Sequence, residues 1–264
     1  MLILLPPSEG KAVSESGRLV DVESLSFPEL TSARRKVLTA LMRLCTRSPR
    51  RAVETLGLGP KQADDVRRNA ALMETPAAPA RDVYAGVLFD ALGLGSLNDD
   101  ASRRADERLV VMSGLWGALR PADRIPAYRL GGGVTLPSVG TLAGHWRPKL
   151  AGVLAPAAGD GVVIDLRSTT YEAFWRPDPS LTGRSVRIRV LHERDGKRSV
   201  VSHHSKATKG RVVRALLESP AVPRRPVDVA DLLAELGWKA ELTEPERPAR
   251  PWLLDIVVTH VETR

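Results

Sequence analysis

One cysteine, Cys45, stands in 264 residues, so no disulfide can close within the chain, and that usage fits a reducing, cytoplasmic setting. Phe, Trp and Tyr make up only 4% of the residues, too few for the aromatic platform on which single-stranded nucleic acid stacks. Long apolar runs are missing as well. No stretch approaches the length that crosses a bilayer. The N-terminal MLILLPPSEGK lacks a basic lead, and its apolar segment is too short for a signal peptide. A cytoplasmic protein with no membrane partner is the expectation. Histidine is scarce: His145, His192, His203, His204 and His260 have no ligand spacing on a helix and no carboxylate cluster beside them. Neither a metal nor a cofactor is therefore expected.

What is present reads as a globular chain able to bury a sizeable core, with 43% hydrophobic and 27% charged residues. The formal net charge of +8 is unevenly placed. Leu181–Arg225 carries twelve Lys/Arg against three Asp/Glu, a net of +9, while the remaining residues carry 27 against 28. A local positive field is what polyanion binding requires. A solvated, arginine-rich surface is the plainer reading of the same count.

Met1–Leu5 reads as a buried strand that Pro6-Pro7 stops. Thr31–Cys45 has helical spacing, with Val37, Leu38, Leu41, Met42 and Cys45 on one face and Thr31 or Ser32 as cap. That face places Cys45 in the core, where a thiol is inert. Ser48-Pro49 opens a short helix that Gly57 ends, and Pro60 opens another. Arg108–Ser113 and Gly161–Arg167 read as interior strands. Val186–His192 and Ser199–His203 flank Asp195-Gly196, a tight hairpin turn, which would set His203 and His204 on opposite faces at a strand end. Ser205–Glu218 and Asp228–Leu236 read as helices, and Trp252–Thr259 as a last strand. The expectation is an α/β fold, a mixed sheet with surrounding helices in a single domain over residues 1–264. The packing of a Pro-rich tail, 222–251, stays open.

LGLG occurs twice, at Leu56–Gly59 and Leu92–Gly95. The first copy continues PKQADDVRR, and residues 48–73 fit a helix-hairpin-helix element. In that reading Gly57 and Gly59 make the turn, Leu58 plugs the helix pair, and Ala63 allows close packing. Lys61 and Gln62 face outward at a helix N-terminus, with Arg67 and Arg68 one to two turns on. Such an element holds phosphate and confers no sequence preference. An ordinary helix pair with a glycine loop is the alternative. The second copy runs into Asp99-Asp100 and reads as structural.

Four further stretches are distinctive: PPSEGK (Pro6–Lys11), VMSGLWGALRPADRIPAYRL (Val111–Leu130), VIDLRSTTYEAF (Val163–Phe174) and SKATKGR (Ser205–Arg211). Together with Val83-Tyr84-Ala85-Gly86 they occur in the order found in the YaaA family of bacterial proteins, which this chain resembles from its first residues to about Leu217. The matching positions are Ser8-Glu9-Gly10-Lys11, Ser113 to Pro121, Pro126 to Leu130, Ser168 with Tyr171, and Lys206, Lys209 and Gly210. PPSEGK replaces the shorter loop of better-known members. The resemblance implies a single-domain fold with a helix-hairpin-helix, DNA binding, and a role in peroxide stress through limiting free iron and oxidative damage.

Two functions follow as expectations. The first is backbone-directed binding of double-stranded or branched DNA through Gly57, Gly59, Lys61, Gln62, Arg67 and Arg68, extended by the basic segment. The second is an enzyme with a basic cleft for a nucleotide or other anionic small molecule. Its cations would be Lys11, Arg120, Arg129, Lys206 and Lys209, its hydroxyls Ser8, Tyr84, Ser113, Tyr128, Ser168 and Tyr171, and its general base Glu9. Arg120 and Arg129 could instead brace backbone carbonyls, and Trp116 reads as core. No reaction is assigned from sequence. A third reading, an interaction protein for acidic partners, rests on charge alone.

Overall fold

Leu2–Leu5 are all fully buried, and this uninterrupted apolar strand is the one about which the sheet is built. The computed structural model describes residues 1–59, 62–200, 202–247 and 250–259, without the side chains of 202–204. Its first elements are β1 (Leu2–Leu5), α1 (Thr31–Arg47), α2 (Pro49–Leu56), α3 (Ala63–Ala70), β2 (Ala78–Pro79), α4 (Ala80–Val83), α5 (Val87–Leu92) and α6 (Asp99–Arg108). There follow β3 (Leu109–Ser113), β4 (Gly117–Leu119), β5 (Arg124–Ile125), β6 (Thr135–Leu136), β7 (Gly140–Thr141), α7 (Leu142–Ala158), β8 (Val163–Asp165) and α8 (Thr169–Glu172). The last are α9 (Pro179–Thr182), β9 (Ser185–Arg194), β10 (Lys197–Ser199), α10 (Ser202–Glu218), α11 (Pro226–Glu235), β11 (Ala240–Thr243) and β12 (Trp252–Val258).

The central sheet runs β11-β12-β9-β8-β1-β3-β4, with β10 paired to β9. Its middle is parallel: β1 lies between β3 and β8, β8 pairs β9, and β9 pairs β12, all in parallel. Antiparallel strands, β4 and β11, close the two edges. The fold is thus α/β with a mixed sheet and surrounding helices, over one continuous hydrophobic core. Because the middle strands are parallel, their C-terminal ends emerge along one edge, where ligand-binding loops gather.

Several sequence expectations change in detail. No side chain caps α1; Leu30 precedes it at the end of a 3-10 turn, Pro28–Leu30, so neither Thr31 nor Ser32 serves. The hairpin turn stands where expected, with Asp195 and Gly196 both at positive φ. The strand after it is shorter, however: β10 ends at Ser199, and His203 and His204 belong to α10. A helix replaces the expected strand end, so the argument that they face opposite ways does not apply. Within the Pro-rich tail, α11 buries Val229, Leu232 and Leu233, and β11 pairs with β12. Pro226 sits in the first turn of α11, where its missing N–H costs nothing.

Candidate functional site

The loops leaving the parallel strands meet over a cavity of about 650 Å³. Pro6–Lys11, following β1, forms one wall, and Ser168, Thr170 and Tyr171, following β8, form another. The turn Ala85–Gly86 into α5, the stretch Arg129–Gly133, and Lys206 near the start of α10 complete it, and Leu56 and Gly57 line it too.

Lys11 is fixed from both sides. Its backbone bridges to Tyr84, and Ala12 N–H donates to the Val83 carbonyl at 2.8 Å. Its Nζ donates to the Ser8 carbonyl at 2.7 Å and lies 4.3 Å from the Tyr128 ring centroid and 5.4 Å from that of Tyr84. Burial, reinforced by the Arg129 charge, pulls the Lys11 amine down to about 7, with Glu9 and Asp65 opposing.

Beneath Lys11 runs a chain of hydroxyls. Tyr84 and Tyr128 share a 3.0 Å hydrogen bond, and Tyr128 meets Ser113 Oγ at 2.6 Å. Ser113 Oγ also accepts from Trp116 N–H. Burial raises both phenols above the usual tyrosine value, so they stay protonated. Tyr171 in the cavity wall is raised for the same first reason, and its hydroxyl hydrogen-bonds the backbone of Gly132.

Of the residues expected in a pocket, Ser8, Glu9, Lys11, Arg129, Ser168, Tyr171 and Lys206 line the cavity. Tyr84, Ser113 and Tyr128 support it from below. Two are placed elsewhere. Arg120 donates to the Leu109 carbonyl at 2.9 Å and covers the Phe27 ring, so it braces the open end of the β3–β4 pair, away from its turn. Lys209 donates to the Leu166 carbonyl at 3.2 Å, and burial lowers its amine, with the charge of Asp165 opposing. Glu9 is exposed and its carboxylate meets Arg129 at 3.1 Å.

Sequence reading missed Asn69, which is fully buried. Its side chain clamps the backbone of Arg129 at both ends, accepting from N–H at 2.9 Å and donating to C=O at 2.7 Å. Helix α3 thereby positions the cavity arginine. The only signal was an asparagine in a helix interior, a place it disfavours without a tertiary partner. Asn69→Leu is expected to lose about 2 kcal/mol by orphaning two backbone groups, and to blunt the stabilisation conferred by any cavity anion. Chemical denaturation with and without phosphate checks both; wild-type values in each would remove Asn69 from this role.

The first LGLG joins α2 to α3 by helix capping. Gly57 is left-handed, φ 63° and ψ 39°, and its N–H bonds the Glu54 carbonyl while Leu58 N–H reaches back to that of Val53 at 2.9 Å. That paired pattern is the Schellman motif, and Leu58 is buried as the plug. Other features differ from a phosphate-holding hairpin. Gly59 is not at positive φ. Gln62 turns inward to accept from Gly59 N–H at 3.0 Å, and Ala63 is exposed. Arg67 pairs with Asp64, and Arg68 with Asp65, both acids lying in the first turn of α3. Pro60 and Lys61 lie outside the described residues. The second LGLG is structural: Gly93 caps α5, and Arg214 ties Leu92, Gly93 and Ser96 together. In the basic segment, Arg187, Arg189, Arg198 and Arg225 pair with Glu172, Asp255, Glu241 and Asp228, acids that lie outside it in sequence. Cys45 is buried, which pushes its thiol up to about 11.

Residues 1–239 match the family model described as peroxide stress protein YaaA. The UPF0246 protein of Streptomyces coelicolor is 48% identical over 99% of this chain and 100% of its own length. That of Corynebacterium efficiens is 38% identical over 92% and 96%, and one from Cereibacter sphaeroides 33% over 65% and 68%. The chain belongs to the YaaA family of peroxide stress proteins.

Proposed function

We propose that this protein serves peroxide stress by binding a nucleotide or similarly anionic metabolite in a basic cleft. The observation carrying this is the convergence of Lys11, Arg129 and Lys206 from three separate segments on one cavity, with a single carboxylate, Glu9, among them. Cations brought together across the chain are what a phosphate or carboxylate needs. The cavity is of the size that small ligands occupy.

Backbone-directed DNA binding is the second reading. It is favoured by one placement: Leu56 and Gly57 of the α2–α3 hairpin line the same cavity, so a strand gripped by the hairpin would lie close to it. Thermal stability in a panel of phosphate, nucleotides and carboxylates tests the first reading, because a ligand that binds the folded state alone raises Tm. A shift in wild type that disappears in Lys206→Ala supports it; a flat panel sinks it. Duplex affinity across a salt series, on wild type, Lys61→Glu and Lys206→Ala, tests the second. Weakening by Lys61→Glu with a shallower salt slope supports the hairpin grip, and affinities equal across all three overturn it.

A further inference from the structure

We infer that Lys11 is the nucleophile of the cleft, and that its amine condenses reversibly with the carbonyl group of a small ligand whose phosphate or carboxylate rests on Arg129 and Lys206. This rests on the anion-binding reading and adds the class of ligand: an anionic aldehyde or ketone.

Geometry is the ground for it. Lys11 lines the cavity, yet among the described residues its Nζ has one hydrogen bond, to the Ser8 carbonyl, and otherwise lies against the faces of Tyr128 and Tyr84. Among the described residues it has no ion pair. The carboxylate nearest in sequence, Glu9, is drawn to Arg129. Here the amine is buried in the cavity wall near the Arg129 cation, and burial and that charge together favour the form with a free lone pair, against the pull of the rings and the Ser8 carbonyl. Arg129, with its backbone clamped by Asn69, presents its guanidinium from the same wall. One cation is thus suited to gripping and the other to reacting.

The step balances without any oxidant or reductant. The Nζ lone pair adds to the carbonyl carbon, the C=O π pair moves to oxygen, and a proton passes from nitrogen to that oxygen to give a carbinolamine. A second proton then reaches the hydroxyl oxygen, the C–O bond breaks and water leaves, the nitrogen lone pair forms C=N, and the iminium gives up its remaining N–H proton, so amine and carbonyl become imine and water. Glu9, exposed at the mouth, can carry the proton between them.

Pyridoxal 5′-phosphate, an aldehyde bearing a phosphate, is the probe. The full chain is incubated with it and cyanoborohydride, and the labelled residue is mapped by peptide mass. The expected result is labelling of Lys11 faster than of any surface lysine by roughly tenfold or more, slowed by inorganic phosphate. The rate should climb through about pH 7 as Nζ loses its proton. The charges acting on that proton are Arg129, which lowers the value, and Glu9 and Asp65, which raise it. Burial keeps Tyr84, Tyr128 and Tyr171 protonated.

Lys11→Arg removes the amine that condenses and should lose the adduct, with label left only on surface lysines. Lys206→Ala keeps the nucleophile and should slow labelling by pyridoxal phosphate but not by propionaldehyde, which has no anion to anchor. Label spread evenly over exposed lysines such as Lys206 and Lys239, or unchanged in Lys11→Arg, overturns the inference. Protection by phosphate with no Lys11 adduct overturns the imine and leaves the anion reading standing. A Lys11 adduct indifferent to phosphate supports the amine chemistry and overturns the anion reading.

Discussion

Arg34→Met is expected to remove about 3 kcal/mol of folding stability, a fall in Tm on the order of 10 °C. Arg34 lies on α1, carries a guanidinium, and is fully buried. It donates to three backbone carbonyls: Trp116 at 3.0 Å, Ala118 at 2.8 Å and Ser26 at 2.6 Å. Two of these flank Gly117, the left-handed residue of the β3–β4 turn, whose absent Cβ would stand 2.7 Å from the Trp146 ring. Burial holds the Arg34 guanidinium down at about 10, with Asp123 and Glu29 opposing, so it remains charged at neutral pH. Methionine matches the stem but leaves the carbonyls unpaired, each at roughly 1–3 kcal/mol, offset in part by no longer burying a charge. Arg34→Lys is expected to recover little, because one ammonium cannot span acceptors on two segments. Urea denaturation of the three proteins decides it. A methionine variant as stable as wild type would show that the turn holds itself.

That arginine also marks where sequence reading stops. The strands β1, β3 and β8 were legible because residues buried on both faces leave continuous apolar runs. The pairing of β9 with β10 was legible because Asp-Gly supplies the two positive φ angles of the turn. Arg34 left no such trace. A cation among Ala33, Val37 and Leu38 reads as the polar edge of an amphipathic helix, and its burial depends on carbonyls more than eighty residues away. The stretch Ser113–Pro121 was similarly opaque in purpose. Its distinctive residues suggested a ligand site, yet Trp116 is core, Arg120 braces Leu109, and Trp146 Nε1–H bonds the Gly114 carbonyl. Only Ser113 reaches towards the cavity, through the tyrosine hydroxyls. Strand β11 was missed because an edge strand of three half-buried residues and one exposed one has neither a long apolar run nor clean alternation.

The cavity was legible by another route. Its residues sit just after strands, and parallel topology sends those loops to one edge whatever their order in the chain. The hairpin reading asked more of a short motif. Gly57 and Leu58 behave as the spacing implied, but the cations beyond them have acids three residues upstream, Asp64 and Asp65, whose positions were equally visible. Charge at a helix N-terminus is a sum, and its first-turn carboxylates count against a phosphate there.

Gly210→Ala is expected to be strongly destabilising. Gly210 lies on α10 where it crosses α5. A Cβ there would come within 2.2 Å of the Leu88 carbonyl oxygen, 2.9 Å of Leu92 N and 3.0 Å of Ala91 Cβ. The first two are backbone atoms of a helix, which no rotamer change can move aside, so the helices must part. Overpacking of this kind removes roughly 1–3 kcal/mol and at times more; with backbone on the receiving side, about 3 kcal/mol is the expectation. The effect should also reach the cavity. Lys206 stands one turn earlier on α10, and Val87, Leu88 and Phe89 of α5 belong to the cavity wall. Lysine and wall would therefore separate together, and a variant still folded at low temperature should show a weakened Tm response to anions. Gly152→Ala is the control: it lies exposed on α7 with open space where the Cβ would go. There alanine's better helix propensity should raise stability by up to about 1 kcal/mol. Opposite signs for the two substitutions, measured in one denaturation series, would confirm that Gly210 is required for close helix contact. A Gly210→Ala protein as stable as the control would mean that α10 can slide on α5, and that the placement of Lys206 is not fixed by this crossing.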